Sequence, residues 1–393
     1  MATMPGPLPT IVHLDADAFF VSCELSLKPE LRDTKCAVGG RERGIISSAS
    51  YEARACGVYT PMPTKLALKV CPDLILLPHT SGIYSKKSRE MFDLCEGLTP
   101  MVQRNSIDEG YLDIGPCAFK TLAEIEHRVR ALQQRIWDDL QIPTSFGIAS
   151  NKLVSAIASK AHKPRGFTIV KLGEEAAFLA PLKISVIPGV GKKSEERLAK
   201  AGVHFVSDLF KRSDDELEEL FGKVWQDMLT MARGEDDRPV HVDHEDAKSY
   251  SVQETFNQNI SDFAEIERIA KRMIDELMPA IRADGKRVKT MTVKVRYPGM
   301  EDSSTGRSLP EASDLEAPFY GMVAPLLRAA WTKRMPLRLV SVRFSNVTEP
   351  AAQLEMFAQG EDKKRRLAAV LDKLNAKGKA GIVRHGHQIK KTD

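Results

Sequence analysis

The stretch His13-Leu14-Asp15-Ala16-Asp17-Ala18-Phe19-Phe20 ends a short apolar run with two acids. Ile11 to Asp15 reads as a buried strand, and alternation puts Asp15 and Asp17 on one face. A second acid pair lies about 90 residues later, in Ser106-Ile107-Asp108-Glu109-Gly110-Tyr111-Leu112-Asp113. If these strands pair, Asp15, Asp108 and Glu109 meet and need a cation to offset their repulsion. Carboxylates favour Mg²⁺ shared with phosphates, which predicts two-metal phosphoryl transfer.

Length and composition indicate a globular protein of several domains. The 393 residues exceed one ordinary core, and 42% hydrophobic with 28% charged residues is not the composition of a disordered chain. The net charge of +4 makes any nucleic-acid surface local. Six cysteines without a C-x-x-C pair favour free thiols over zinc. No run approaches the ~18 apolar residues of a membrane span, so we expect a cytoplasmic protein without a membrane partner.

The first 172 residues alternate between strand and helix signals. A strand and an inserted segment are followed by a helix, a strand, a helix and a strand, which suits a split β-α-β-β-α-β sheet layer. The expected strands are Ile11 to Asp15, Ile107 to Ile114, Thr144 to Ala149 and Thr168 to Leu172. One expected helix starts at Phe19. The others cover Ile83 to Cys95, Leu122 to Leu140 and Leu153 to Ala161.

The rest of the chain divides into a helical part and a second α+β part. The helical part runs from Pro181 to about Gly234, and Asp236 to Glu245 reads as a linker. From Tyr250 onward strand and helix alternate again. The expected elements there are helices over Phe263 to Ala283 and Leu315 to Lys333, and strands over Arg287 to Tyr297 and Arg338 to Phe344.

Cations in the first part are placed to bind a triphosphate. Tyr51 and Arg54 follow a predicted strand, and a guanidinium grips phosphate through paired hydrogen bonds. Lys163 stands before a proline that breaks a helix. An exposed surface helix explains Arg54 equally simply, and the helix dipole explains Lys163.

A glycine hairpin and a basic strand point to nucleic acid. Gly189-Val190-Gly191-Lys192-Lys193, between helices over Leu182 to Val186 and Glu195 to Ala201, exposes N–H groups and ammonium groups to a phosphate. Later, Lys294 and Arg296 share a strand face with two threonines, and Arg343 faces outward on the last strand. Such a sheet face tracks a nucleic-acid groove or is an ordinary solvated surface.

Gln353-Leu354-Glu355-Met356-Phe357 follows the last predicted strand. A polar anchor with apolar plugs at Leu354, Met356 and Phe357 suits a pocket on a partner. The segment after it is basic and favours a polyanion.

These motifs resemble the Y-family DNA polymerases, closest in pattern to the bacterial DNA polymerase IV (DinB) class. The resemblance covers about residues 10 to 350 and rests on His13 to Glu24, Ser47 to Arg54, Ser106 to Asp113, Phe146 to Gly166 and Ile187 to Gly191. It implies an α+β multidomain fold. Its parts would be a ferredoxin-like palm with small fingers, an all-α thumb with a helix-hairpin-helix, and a C-terminal α+β little finger.

The resemblance also implies the role of each site residue. Asp15, Asp108 and Glu109, with the carbonyl of Ala16, would hold two Mg²⁺ ions. Phe20 would reject a ribose 2′-OH by steric clash. The residues implied for the other roles are Ser48, Tyr51, Arg54 and Lys163 for the incoming dNTP, Gly189, Gly191, Lys192, Lys193, Lys294, Arg296 and Arg343 for primer-template DNA, and Gln353, Leu354, Met356 and Phe357 for a sliding clamp.

The domain boundaries implied are palm 8–19 and 80–174, fingers 20–79, thumb 175–240, linker 241–246, little finger 247–349, and clamp peptide with basic tail 350–393. The resemblance implies a monomeric enzyme that performs low-fidelity translesion synthesis without proofreading. One alternative is a catalytically inactive accessory subunit of the same family, but all three acids are present. Another is a palm-fold nucleotidyl cyclase, which needs no glycine hairpin. A haloacid-dehalogenase phosphatase needs a downstream Lys and Asp-Asp, for which no candidate stands out.

Overall fold

The computed structural model describes residues 8–40, 43–242, 246–349 and 359–377. The chain divides into two compact units, Met1–His244 and Glu245–Asp393. Each unit has its own hydrophobic core or cores.

The first unit contains, among its described residues, two sheets and ten helices. In chain order these are β1 (Ile11–Ala16), α1 (Phe19–Leu27), β2 (Cys36–Gly39), β3 (Ile46–Ala49), α2 (Tyr51–Ala55), α3 (Thr64–Val70), β4 (Ile75–Leu77), α4 (Ile83–Glu96), β5 (Val102–Arg104), β6 (Glu109–Asp113), α5 (Leu122–Leu140), β7 (Thr144–Ala149), α6 (Lys152–Ala161), β8 (Phe167–Ile169), α7 (Glu175–Leu179), α8 (Lys192–Lys200), α9 (Asp214–Phe221) and α10 (Trp225–Ala232).

The larger sheet has the strand order β5-β6-β1-β7-β8, which puts β1 at its centre. Val12 and Leu14 of β1 are fully buried, as the apolar run before the first acid pair predicts. Both neighbours of β1 are antiparallel to it, and Asp15 lies opposite Glu109 on one side and Ser145 on the other. The pairing of β1 with β6 therefore places the acids of both clusters at the same end of the sheet.

Two glycines let other elements approach this sheet closely. A Cβ at Gly147 of β7 would lie 2.1 Å from the carbonyl oxygen of Ser155 and 2.4 Å from the nitrogen of Ser159, so α6 rests directly on β7. A Cβ at Gly110 would lie 2.7 Å from both the carbonyl of Gln103 and the ring of Phe92. Gly110 therefore fits a tight space beside Glu109.

The smaller sheet has the order β3-β2-β4 and its own small core. The helical part that follows begins with a single 3-10 turn at Ile184–Val186, where the sequence predicts a longer helix. Helix α8 begins at Lys192, earlier than the predicted Glu195, so the lysine pair lies in its first turn. Gly189 takes a left-handed conformation with φ of 91°, which a glycine adopts without strain.

The stretch predicted as a linker is bonded to the first unit over its first residues. Leu153 N donates to Asp236 (2.9 Å), Lys152 Nζ donates to the carbonyl of Pro239 (3.2 Å), and His241 N donates to Gln103 (3.0 Å). The part of this stretch from Asp236 to His241 is therefore held to the first unit by hydrogen bonds.

The second unit is a four-stranded antiparallel sheet with the order β11-β10-β12-β9. Its elements are β9 (Ser249–Ile260), α11 (Phe263–Ala283), β10 (Arg287–Arg296), β11 (Asp302–Ser313), α12 (Ala317–Ala330), β12 (Leu337–Thr348) and α13 (Gln359–Lys377). Helices α11 and α12 pack on one face, where Met291, Val293 and Val295 are buried as the alternation predicts. Sequence reasoning missed β11, because its Ser-rich, largely polar residues carry no apolar alternation.

Candidate active site

The backbone brings the predicted acids together at one end of β1 and β6. Asp15 and Glu109 are direct neighbours in the strand pair. The N–H of Ala16 donates to the carbonyl of Asp108 at 2.9 Å, which extends the pairing by one residue. Strand β6 begins at Glu109 and not at Ile107 as predicted, so Asp108 lies in the turn before it. The predicted pairing of the two strands is therefore present, and it brings the backbone of the two acid clusters to one end of the sheet.

Asp15 forms an ion pair with Lys163 across the end of the sheet. Asp15 is buried, with 9% of its surface exposed. Burial raises the pKa of its carboxyl, and the charges of Lys163 and Lys160 act in the opposite direction. Lys163 thus offsets the negative charge of Asp15. The same lysine is the residue that the sequence predicts as a phosphate ligand.

Glu109 is held by three neighbours. Asn105 Nδ2 donates to Oε1 at 2.9 Å, Lys160 Nζ lies 3.5 Å from Oε2, and His13 Nε2 lies 3.8 Å from Oε2. Burial alone raises the pKa of Glu109, but the Asn105 hydrogen bond and the Lys160 charge outweigh it and lower the pKa. Burial lowers the pKa of His13 to about 3, so the imidazole is neutral at pH 7.

Asp108 is half-buried and so more accessible than Asp15. Its Oδ1 accepts the hydroxyl of Ser106 at 2.5 Å, and the same hydroxyl oxygen accepts the N–H of Glu109 at 3.1 Å. Ser106 therefore shapes the turn that carries this acid. The second oxygen of Asp108 has no bond among the contacts of the described residues.

The donor set at this end of the sheet fits a hard divalent cation. It consists of carboxylates with a main-chain carbonyl nearby, and such oxygen ligands suit Mg²⁺. Among the described residues, no three His, Cys, Asp or Glu side chains are already arranged as metal ligands. The ammonium of Lys163 binds Asp15 instead, and that of Lys160 lies near Glu109. Asp15 and Glu109 thus each have one lysine ammonium group nearby, and a divalent cation can replace that charge.

Asp17 is fully buried and joins the acid cluster to the phosphate-binding candidates. Ser145 Oγ donates to both its oxygens (3.0 and 2.9 Å), and the N–H of Arg165 donates to Oδ2 at 2.7 Å. The hydroxyl of Tyr51 and the ammonium of Lys163 approach Oδ1 at 3.4 and 3.3 Å. The sequence places Asp17 on one face with Asp15, and the geometry puts it in contact with two candidate substrate ligands, Tyr51 and Lys163.

Phe20 lies beside this cluster on an aromatic support. Its ring meets Tyr84 edge-on, with the centroids 4.8 Å apart. The hydroxyl of Tyr84 donates to the buried carboxylate of Glu24 at 2.6 Å, and Thr80 donates to Glu24 through its N–H and its hydroxyl. The chain reaches Phe20 through Ala18, whose φ of 47° turns strand β1 sharply into α1.

The remaining nucleotide candidates lie on and after β3. Arg54 is exposed, its Nε donates to the carbonyl of Ala49 at 3.0 Å, and its guanidinium lies 4.8 Å from the centre of the Tyr51 ring. Burial raises the pKa of Tyr51, so its hydroxyl stays protonated. Ser48 is 5% exposed, and its role as a substrate ligand stays a prediction.

The candidate DNA contacts lie in both units. Gly191, Lys192 and Lys193 are exposed, and helical geometry leaves the first N–H groups of α8 without partners inside the helix. In the second unit, Lys294 pairs with Ser341 and Thr292 with Arg343, on the sheet face opposite the helices.

Sequence reasoning missed an acid on that face. The guanidinium of Arg296 is bound by both oxygens of Asp302 on β11 (2.6 and 2.9 Å), and Lys294 lies 3.9 Å from the same carboxylate. It also missed Lys160, Ser145 and His13 at the acid cluster. Lys160 lies in the last turn of α6, three residues before Lys163, and this closeness in sequence was the available signal. The clamp-peptide residues Gln353, Leu354, Met356 and Phe357 lie outside the described residues.

No helix within the described part of the chain is both long enough and apolar enough to cross a membrane.

Family models match three parts of the chain. The impB/mucB/samB family matches residues 14–160, and the C-terminal domain of that family matches residues 247–356. The thumb domain of DNA polymerase-iota matches residues 185–236, which include the glycine hairpin.

Full-length relatives and solved structures agree with these matches. The chain is 69% identical to DNA polymerase IV of Opitutus terrae over 385 residues, 98% of each chain. It is 32% identical to DNA polymerase IV of Dehalococcoides mccartyi, again over 98% of each chain. A solved Y-family DNA polymerase chimera of Dbh and Dpo4 aligns with a TM-score of 0.78 at 26% identity, over 86% of this chain and 99% of that one. An insertion ternary complex of Dbh DNA polymerase aligns with a TM-score of 0.62 at 26% identity and the same coverage.

Replacing Asp17 by Asn tests its place in the site. The amide nitrogen would face groups that donate, and the charge facing Lys163 would be lost. We expect the free energy of unfolding to fall by about 3–5 kcal/mol in denaturant titrations. Asp113→Asn is the matched control, because Asp113 Oδ1 accepts one backbone N–H at the other end of β6. A loss at Asp17 no larger than at Asp113 would contradict this role.

Proposed function

The chain belongs to the Y-family DNA polymerases of the DNA polymerase IV (DinB) class, and from this membership we propose that Asp15, Asp108 and Glu109 are its catalytic acids. It is a template-directed DNA polymerase of translesion synthesis. The observation that carries the site assignment is the strand pairing that sets Asp15 opposite Glu109, next to the bond from Ala16 to Asp108. The accessory-subunit and cyclase alternatives find no support among the relatives.

The cofactor that fits the acids is Mg²⁺. Asp15, Asp108 and Glu109, with the carbonyl of Ala16, would hold two ions. When bound, these would neutralise the charge of the triphosphate and favour attack by the primer 3′-OH. The chain's own part is to hold the ligands in place: β1 and β6 fix the backbone, and Asn105 and Ser106 orient the side chains of Glu109 and Asp108.

The triphosphate is proposed to bind Tyr51, Arg54 and Lys163, with Ser48 nearby on β3. Lys163 would exchange its ion pair with Asp15 for one with a phosphate oxygen. Asp17 supports this exchange, because it contacts both Tyr51 and Lys163 and remains buried. Most catalysis of phosphoryl transfer is positioning and charge stabilisation, which this arrangement supplies.

Phe20 is proposed to select the sugar. Its ring is supported by Tyr84, which Glu24 fixes in turn, so it has little room to move away from a 2′-OH. A fixed ring discriminates by clash without any contact to the base.

The domain roles follow the family. We propose 8–19 and 80–174 as palm, 20–79 as fingers, 175–240 as thumb, 241–246 as linker and 247–349 as little finger. DNA would contact Gly189, Gly191, Lys192 and Lys193 on the thumb, and Lys294, Arg296 and Arg343 on the little finger. We further propose that the enzyme acts as a monomer in the cytoplasm; a dimer mass at equilibrium in solution would contradict the first part.

Primer extension tests the catalytic assignment. With Mg²⁺, dNTPs and a primer-template, we expect Asp108→Ala to lower the extension rate by at least about 10³-fold, because a cation ligand is lost. Asp113→Ala is the control, since that acid lies at the far end of β6 and should extend primers normally. Extension by Asp108→Ala at the control rate would remove the site assignment.

The same assay with ribonucleotides tests Phe20. Phe20→Ala should raise ribonucleotide incorporation relative to deoxynucleotide incorporation by at least about tenfold, since the clash is removed. Phe20→Tyr keeps a ring there and should retain selectivity. An unchanged ratio in Phe20→Ala would assign sugar selection elsewhere.

Salt-dependent DNA binding tests the sheet face of the second unit. Each phosphate contact contributes about 0.9 to the slope of log affinity against log salt. Arg343→Gln should therefore reduce the slope by about 0.9, measured by anisotropy of a labelled primer-template. Arg296→Gln should reduce it less, because Asp302 already neutralises that guanidinium. Arg328→Gln on α12 is the control, and equal slopes in all three variants would contradict the proposed surface.

The clamp peptide is tested by a double substitution. Leu354→Ala with Phe357→Ala removes the two apolar plugs and should abolish stimulation of primer extension by a sliding clamp, while extension without the clamp is unchanged. Glu355→Ala, between the plugs, is the control. Full stimulation of the double variant would refute the assignment.

A further inference from the structure

Two cationic side chains from distant parts of the chain share one indole ring outside the acid cluster. The ring belongs to Trp137 on α5. The guanidinium carbon of Arg32 lies 4.8 Å from its centroid, and that of Arg165 lies 4.7 Å from it. Both distances are within the range of cation–π attraction, and Trp is the strongest partner for it. Neither the motifs nor the mechanism above uses this ring.

Arg165 belongs to the loop that carries Lys163. Its φ of 54° is in the left-handed region, which an arginine rarely adopts, so neighbouring contacts must hold it. Its N–H donates to Asp17, and the N–H of Gly166 donates to Ser145 at 3.0 Å. Gln133 Nε2 lies 3.3 Å from the carbonyl of Gly166. Gln133 and Trp137 are one helical turn apart, so one side of α5 contacts two consecutive residues of the loop.

Arg32 lies in the connection from α1 to β2, which leads into the small sheet. One terminal nitrogen of its guanidinium is buried and has no hydrogen-bond partner among the described residues. Burying such a group is costly unless another attraction offsets it, and the indole supplies one. Tyr51 and Arg54, the other phosphate-binding candidates, lie on α2 directly after β3, the strand of this sheet that pairs with β2. The ring of Trp137 therefore touches the structural supports of both halves of the proposed triphosphate site.

We propose that Trp137 is a positioning residue for the incoming nucleotide: it holds the Lys163 loop and the α1–β2 connection in one fixed relation. This rests on the proposed role of Lys163. The ammonium must leave Asp15 to meet a phosphate, and the side chain can make that exchange reproducibly only if the loop backbone stays in place. A loop that moves would weaken the contact between Lys163 and the phosphate, and so the binding of the nucleotide. The aromatic face is the required feature, because it attracts both guanidinium groups.

Steady-state kinetics of single-nucleotide insertion test the proposal. Trp137→Leu should raise KM for the dNTP by about two- to tenfold and leave kcat within about twofold, because binding contacts are weakened uniformly. Trp137→Phe keeps an aromatic face and should restore most of the affinity. Arg165→Gln alters the same contact from an exposed position and should raise KM in the same direction.

Lys163→Ala separates the proposal from the assignment on which it rests. If Lys163→Ala raises KM and adding Trp137→Leu raises it little further, the two residues act along one path. If Lys163→Ala raises KM while Trp137→Leu and Arg165→Gln do not, the positioning role is wrong and the triphosphate assignment stands. An unchanged KM in Lys163→Ala overturns both. A loss of kcat that is equal in Trp137→Leu and Trp137→Phe, with KM unchanged, also overturns the positioning role.

A matched control guards against a general effect of losing a cation–π pair. Arg328 lies 5.1 Å from the ring centre of Phe263 in the second unit, on the helix side of the sheet. Arg328→Gln removes an interaction of the same kind and should leave KM for the dNTP unchanged. If Trp137→Leu does not fold, Arg165→Gln against Arg328→Gln decides the question.

Discussion

The concentration of negative charge at the end of β1 is the constraint on which the rest of this site depends. Two like charges 4 Å apart repel by about 4 kcal/mol at the effective dielectric near a protein surface. A whole domain is stable by only about 5–15 kcal/mol. The same end of the sheet can therefore hold four carboxylates only if positive charges offset their repulsion. These carboxylates belong to Asp15, Asp17, Asp108 and Glu109. Lys163 and Lys160, both near the end of α6, supply the positive charges.

The compensation also divides the acids by function. Asp17 is fully buried and satisfied by a hydroxyl, a backbone N–H and an ammonium, so it has no need of a further cation. Asp108 and Glu109 are more accessible than Asp17. Asp108 is oriented by the neutral hydroxyl of Ser106, and Glu109 by Asn105 with the Lys160 ammonium nearby, whose charge a divalent cation can replace. Asp15 stands between the two cases, because its ion pair with Lys163 can be exchanged. At one end of the sheet, an acid whose two oxygens are both bonded thus lies beside the acids that we propose as cation ligands.

The sheet of the second unit has two chemically different faces. One face buries the alternating apolar residues of β10 and β12 under two helices, and the other presents threonine, serine and cationic side chains. Asp302 lowers the net positive charge of this face at its edge by binding Arg296. A sheet of this kind can bind phosphates through scattered contacts without reading sequence, which is what a polymerase that moves along DNA requires.

The motifs that indicate the chemistry of this protein can be read without its structure. The acid clusters, the Tyr51–Arg54 motif and the glycine hairpin are local patterns, and so are the amphipathic helices over Leu122–Leu140 and Phe263–Ala283, which the structure reproduces at the predicted bounds. Which charged groups neutralise one another follows instead from the folded arrangement of the chain. The Arg296–Asp302 pair, the contact of Lys160 with Glu109 and the shared ring of Trp137 join residues whose approach depends on strand register and helix packing. Strand β11 stayed hidden for a similar reason: its pairing with β10, and not an apolar pattern of its own, makes it a strand.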